Sequence, residues 1–130
     1  MSNQTKQAKE LEKINRADRL LTTISLLEEQ IKQISEDGEV APSCCRLVRY
    51  KARGKYKAYW YYKLQASQPI FICKTNPNKL SRYKHLGSAG SQAHIDALMM
   101  VLRISQIDEL QKTIDALRSC WSDLYSNSGE

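Results

Sequence analysis

Two stretches at opposite ends of the chain space their apolar residues for helices that pack on a partner, and the stretch between them does not. Near the N-terminus Ala17, Leu20, Ile24, Leu27, Ile31 and Ile34 step by 3, 4, 3, 4, 3. Near the C-terminus Ile107, Leu110, Ile114, Leu117, Trp121 and Leu124 repeat the same steps. Such spacing holds apolar side chains along one stripe of a helix, as in the seam of a coiled coil. Between the seams, Gly38 with Pro42 and then Gly87 bracket a segment whose apolar period is two, the spacing of strands. The chain is therefore expected to be α+β, and at 130 residues a single domain. Its parts are a long N-terminal helix over residues 1–36, a linker over 37–43, a three-stranded antiparallel β-meander within 44–87, a long C-terminal helix within 88–125 and a tail over 126–130. The two helices are expected to form a coiled-coil arm.

Local signals set the boundaries. Met1 to Thr5 are polar and expected to fray. Gly38 is expected to end the first helix in a left-handed conformation, and Pro42 to stop it resuming. Strands are expected over Arg46–Ala52, Tyr56–Gln65 and Leu80–Leu86. Gly54 would supply positive φ to a tight hairpin between the first two. Ile70–Lys74 reads as a short edge strand and Thr75–Asn78 as a loop. Ser91 is the expected N-cap of the second helix, its hydroxyl accepting from a first-turn amide.

Alternation divides the expected strands into two faces. Val48, Tyr50 and Ala52, with Tyr56, Ala58, Trp60, Tyr62 and Leu64, would look toward the core. Arg49, Lys51 and Arg53, with Lys57, Tyr59, Tyr61 and Lys63, would look outward.

Charge sharpens this division. From Cys44 to Gly87 there are eleven Lys and Arg and no acid, and none occurs anywhere between Glu39 and Asp96. Six of the seven tyrosines, Trp60 and the single Phe71 fall in the same segment. The remaining nine Lys and Arg are outnumbered by fourteen Asp and Glu, so a basic centre sits between acidic flanks. Cations neutralise phosphates and flat rings lie against sugars or bases, so this composition suits nucleic acid. A solvated, unpartnered face is the plainer alternative, but it would leave eleven like charges with no neighbouring acid to relieve their repulsion.

Other classes find less support. No run of about eighteen apolar residues could span a bilayer, and no amphipathic apolar face lies beside the charge, so no membrane partner is expected. The stretch MSNQTKQAKELEK lacks the apolar core of a secretory signal, and a cytoplasmic protein is the simplest reading. Two histidines, acids confined to the helical flanks, and the absence of a phosphate loop or nucleophile elbow argue against an enzyme. Disulfides among Cys44, Cys45, Cys73 and Cys120 are disfavoured in a reducing cytosol, and the adjacent Cys44 and Cys45 lack the two-residue gap of a zinc knuckle. Cys44, Cys73, His85 and His94 could be assembled only by the fold, and no metal or cofactor is expected.

The segments GKYKAYWYYKL, KLSRYKHLG and SAGSQAHIDAL give three strands followed by a helix that begins with small residues. Over about residues 46–103 this order resembles the arm-type DNA-binding domains of phage integrases and the ethylene-response-type domains of plants. The Tyr83-Lys84-His85-Leu86-Gly87 turn followed by Ala93 is its most specific part. The resemblance implies a three-stranded sheet on one helix, with the exposed sheet face in a DNA major groove. This chain departs from it by inserting Ser67–Asn78 and by extending the helix far beyond the sheet.

DNA binding is thus the expected function. The contact set is Arg49, Lys51, Arg53, Lys55, Lys57, Tyr59, Tyr61, Lys63, Arg82 and Lys84, acting on duplex DNA, with RNA as a close alternative. Leu20, Ile24, Leu27, Ile31 and Ile34 would form a dimerisation or helix seam with Leu110, Ile114, Leu117, Trp121 and Leu124, closing either within one chain or between two. Leu21, Leu26 and Ile104 lie off the seams and favour a homodimer. The rival function is a coiled-coil adaptor whose basic sheet docks on an acidic protein.

Overall fold

The computed structural model describes residues 2–126; Met1 and residues 127–130 of the expected tail lie outside that range. The elements in order are α1 (Ser2–Asp37), β1 (Arg46–Arg53), β2 (Ala58–Gln65), β3 (Phe71–Ile72), β4 (Leu80–Ser81), β5 (Tyr83–Ser88) and α2 (Gln92–Ser126). Two long helices flank a three-stranded antiparallel sheet of order β1-β2-β5, an α+β arrangement. The polar residues expected to fray are helical from Ser2, and Ser126 of the expected tail closes α2. No helix among the described residues is long and apolar enough to cross a membrane. The chain divides into two compact units: a helical unit of α1 to Glu36 with α2 from Gln106, and a sheet unit spanning Asp37–Ser105.

In the helical unit the two seams close on each other within one chain. Ile24 and Trp121 line one groove, Leu20 and Leu124 a second, Ile34 and Leu110 a third. Ile114 is completely buried and Ile24 nearly so, while Leu27, Ile31 and Leu117 are half-buried. An Arg118–Glu28 ion pair of 3.3 Å and the Lys13 ammonium 4.9 Å from the Tyr125 ring centroid tie early α1 to late α2, so the segments run antiparallel. Leu21 and Leu26 remain exposed on α1, whereas Ile104, on the sheet unit's part of α2, is half-buried.

The sheet unit is built on Leu64, Leu86 and Ala97, all buried, with Leu47, Tyr62, Phe71 and Val101 packed around them. Tyr62 stacks on His94 of α2 at 3.9 Å between centroids. Ser91 caps α2 as expected: its hydroxyl accepts from the His94 amide (3.2 Å) and donates to the Leu86 carbonyl (3.0 Å). One side chain thereby joins the last strand to the helix that follows. The linker is held to the same helix, the Ala41 amide donating to the Met100 carbonyl (3.2 Å) and Arg103 Nη1 to the Glu39 carbonyl (2.9 Å).

Several local expectations are corrected. Gly38 and Gly54 do not have positive φ; among the described residues the left-handed ones are Cys44 (65°), Gly87 (92°) and Gly90 (80°). Gly54 is required for space instead, since a Cβ there would lie 2.6 Å from the Tyr59 ring. The third strand of the sheet starts at Tyr83 rather than Leu80. Leu80 and Ser81 pair with Ile72 and Phe71 in a separate two-stranded ribbon, which is what the inserted segment folds into. In β5, Leu86 has no partner across the ladder, because Tyr62 faces Gly87 while Lys63 faces His85. This bulge leaves Leu86 free to fill the core.

Truncating Leu64→Ala should lower unfolding free energy by about 2–5 kcal/mol through the cavity it leaves. Ser91→Ala should cost about 1 kcal/mol through the lost cap. Urea midpoints of the two variants would check both the values and their order.

Candidate nucleic-acid interface

The β1–β2 register decides which side chains share a surface. Leu47 faces Leu64, Arg49 faces Tyr62, Lys51 faces Trp60 and Arg53 faces Ala58; in the alternate positions Val48 faces Lys63, Tyr50 faces Tyr61 and Ala52 faces Tyr59. Directly opposed residues point to the same side of a sheet. Leu47, Tyr62 and Leu64 pack toward α2, so one side is the helix face and the other is open.

The expected contact set is therefore split. Tyr59, Tyr61 and Lys63 lie on the open face. Arg49, Lys51 and Arg53 lie on the helix face, and Val48, Tyr50 and Ala52, expected to look inward, are on the open one. The physical reason is loop length. A three-residue hairpin loop at Arg53–Lys55 would pair Ala52 with Tyr56, but the strands close across four residues, Gly54–Lys57, with the Gly54 amide donating to the Lys57 carbonyl at 2.8 Å. That single added residue inverts one strand's faces relative to the other's. Leu47, the apolar residue opposite Leu64, is the signal in the sequence that marks the true inward positions.

On the open face, rings form a continuous row. Centroids of Tyr59 and Tyr61 are 6.4 Å apart, those of Tyr61 and Tyr50 5.9 Å, and those of Tyr50 and His85 5.9 Å. The Tyr50 hydroxyl is hydrogen-bonded to His85 Nδ1 at 3.0 Å. The Lys63 ammonium sits 5.0 Å from the Tyr50 centroid and 4.2 Å from that of Tyr83. Lys57 stands 5.2 Å from the Tyr59 centroid at the far end of the row. Tyr50, Tyr83 and His85 thus join the surface although all three were outside the expected set. Beyond His85 a cleft of about 340 Å³ is lined by Lys74, Thr75, Tyr83 and Lys84 among others.

The helix face carries a second basic group where α2 no longer covers it. Trp60, expected in the core, is 46% exposed, with the Arg49 guanidinium 4.1 Å and the Lys51 ammonium 5.4 Å from its ring. Tyr56, also expected in the core, is in the hairpin loop at 88% exposure with Lys55 beside it. Of the expected core rings on β2, only Tyr62 is packed there. In β5, Lys84 is opposite core Leu64 yet exposed, and Arg82 Nε donates to the Ala66 carbonyl at 3.4 Å.

Among the described residues no three His, Cys, Asp or Glu side chains converge as metal ligands, so Cys44, Cys73, His85 and His94 are not assembled. His94 accepts from the Gly90 amide at 3.0 Å, on the opposite side of the sheet from His85. Burial pushes the Cys45 thiol above its ordinary range, with neighbouring Cys44 adding to the shift. No family model, curated protein or solved structure matches the chain.

Two outcomes check this geometry. Arg49→Ala should open Trp60 to acrylamide quenching while costing about 0.5–1 kcal/mol of stability, the range of an exposed cation–π contact. Because Cys45 stays protonated to higher pH than a free thiol, its alkylation by iodoacetamide should rise at higher pH in the folded protein than in denaturant, followed by mass spectrometry.

Proposed function

We propose that this protein binds DNA through its basic, aromatic sheet unit. The observation that carries the reading is where charges are paired. The ion pairs among the described residues, Lys112–Glu109, Arg118–Glu28 and Arg118–Asp115, all belong to the helical unit. Among the described residues the sheet's cations have rings and carbonyls as neighbours and form no ion pair with a carboxylate. A polyanion relieves the repulsion among such cations and releases its own counterions on binding. Rings are partial partners only: a cation–π contact leaves the charge in place, available to a phosphate. The order of three strands and a helix, with the sheet in the order β1-β2-β5, also agrees with what the resemblance to arm-type domains implies.

The protein as proposed is a homodimer, and the surface for the second copy is not the seam set, which is occupied within the chain. Leu21 and Leu26 are the candidates, at 48% and 62% exposure. Sedimentation equilibrium should give a dimer at micromolar concentration that Leu21→Lys with Leu26→Lys dissociates. A monomeric wild type removes this part of the proposal.

For DNA, fluorescence anisotropy across a salt series is decisive. With about five phosphates neutralised, log affinity should fall against log salt with a slope of about −3.5 on single strands or about −4.5 on a duplex. Lys57→Glu with Lys63→Glu should abolish the binding and leave the sedimentation behaviour unchanged. Salt-insensitive or absent binding by the wild type would sink the proposal and favour the adaptor.

A further inference from the structure

The open face of the sheet presents flat rings where a groove-reading sheet needs extended donors and acceptors. Sequence in a duplex is read by side chains that reach base edges, Arg and Lys to guanine and Asn and Gln to adenine above all. Here three of the four residues with that reach on β1, Arg49, Lys51 and Arg53, are on the other face, and the fourth, Arg46, stands opposite Gln65 at the end of the open face, past Lys63 and outside the row of rings. The Tyr50 hydroxyl is engaged with His85, and the half-buried Lys63 lies between the Tyr50 and Tyr83 rings. What the face offers outward is a row of π-surfaces about 6 Å apart, from Tyr59 through Tyr61 to Tyr50, with Lys57 at one end and Lys63 beside the other.

A base inside a duplex has both of its faces stacked on its neighbours and only its edges are open. Rings on a protein surface can therefore stack only on bases that are unpaired and splayed from one another, and cations beside the rings then follow the backbone. The row matches that requirement in chemistry and in order: ring, ring, ring, with a cation near each end and no acid to repel the strand. We infer that the open face binds single-stranded DNA, laying successive bases on Tyr59, Tyr61 and Tyr50 while Lys57 and Lys63 neutralise the adjoining phosphates. This rests on the DNA-binding reading above and narrows it to one form of DNA. Every base has a π-face, so recognition by this row tolerates sequence.

The test measures anisotropy of the full chain with a labelled mixed-sequence single strand of about twenty nucleotides, with its blunt duplex, and with single-stranded RNA of the same sequence. The single DNA strand should bind at least about tenfold more tightly than the duplex. Tyr61→Ala should weaken it by about tenfold or more, the effect of losing one stacked base, and change duplex affinity by less than about twofold. Tyr61→Phe should restore single-strand binding, because stacking uses the ring and not the hydroxyl. Should Tyr61→Ala fail to fold by circular dichroism, the more exposed Tyr59→Ala carries the same expectation. A duplex bound as tightly as the single strand, or equal losses on both forms in Tyr61→Ala, overturns the inference and leaves the DNA-binding proposal standing. RNA bound more tightly than DNA also overturns it. No binding to any of the three overturns both.

Discussion

Placing Leu47 opposite Leu64 is the constraint on which the rest of the sheet unit depends. Leu64 is one of only three side chains at the centre of that core, and it can be buried only if β2 turns its even-numbered residues toward α2. Once Leu47 joins it, every odd-numbered residue of β1 is committed to the same side. Arg49, Lys51 and Arg53 follow Leu47 to the helix face, where Arg49 and Lys51 meet Trp60. Tyr50 is sent to the open face, where it joins Tyr61 and His85. The four-residue loop and the Gly54 backbone packed beneath the Tyr59 ring allow this pairing, and no side chain on either face could change its side without undoing the core.

The same register governs the electrostatics. A basic sheet with one charged face would hold Arg49, Lys51, Lys57 and Lys63 close together with no acid among them. Distributing them over two faces separates the strand-one cations from Lys63, and each group is then lined by rings: Trp60 on one side, Tyr50, Tyr59 and Tyr83 on the other. Each exposed cation–π contact contributes about 0.5–1 kcal/mol. That is comparable with an exposed ion pair of the kind the helical unit uses. Rings therefore do for the sheet locally what Glu28 and Asp115 do for Arg118, without cancelling its net charge.

In the helical unit, propensity and packing agree. Helices of 36 and 35 residues gain most of their stability from an apolar stripe that is covered. Each seam covers the other, as the burial of Ile24 and Ile114 requires. This leaves Leu11, Ile14, Leu21 and Leu26 as exposed apolar side chains on α1.

The two helices, the Ser91 cap of α2 and the three main strands were legible in the residues because each rests on local signals: a repeating apolar step, a serine before a helix, alternation between breakers. The concentration of cations and rings in one segment was legible for the same reason, being a matter of composition. Which rings and cations share a face was not, since parity across a hairpin depends on one residue of loop length that several turn geometries could supply. Nor could local signals assign Leu80 and Ser81 to a ribbon with Phe71 and Ile72, or place a bulge at Leu86; those follow from long-range pairing and from the need to fill the space above Ala97. Local residue patterns set the helices, the main strands and the charge of the central segment. Tertiary structure alone decided which face each side chain occupies, because a strand has two faces of equal local energy until one of them is buried.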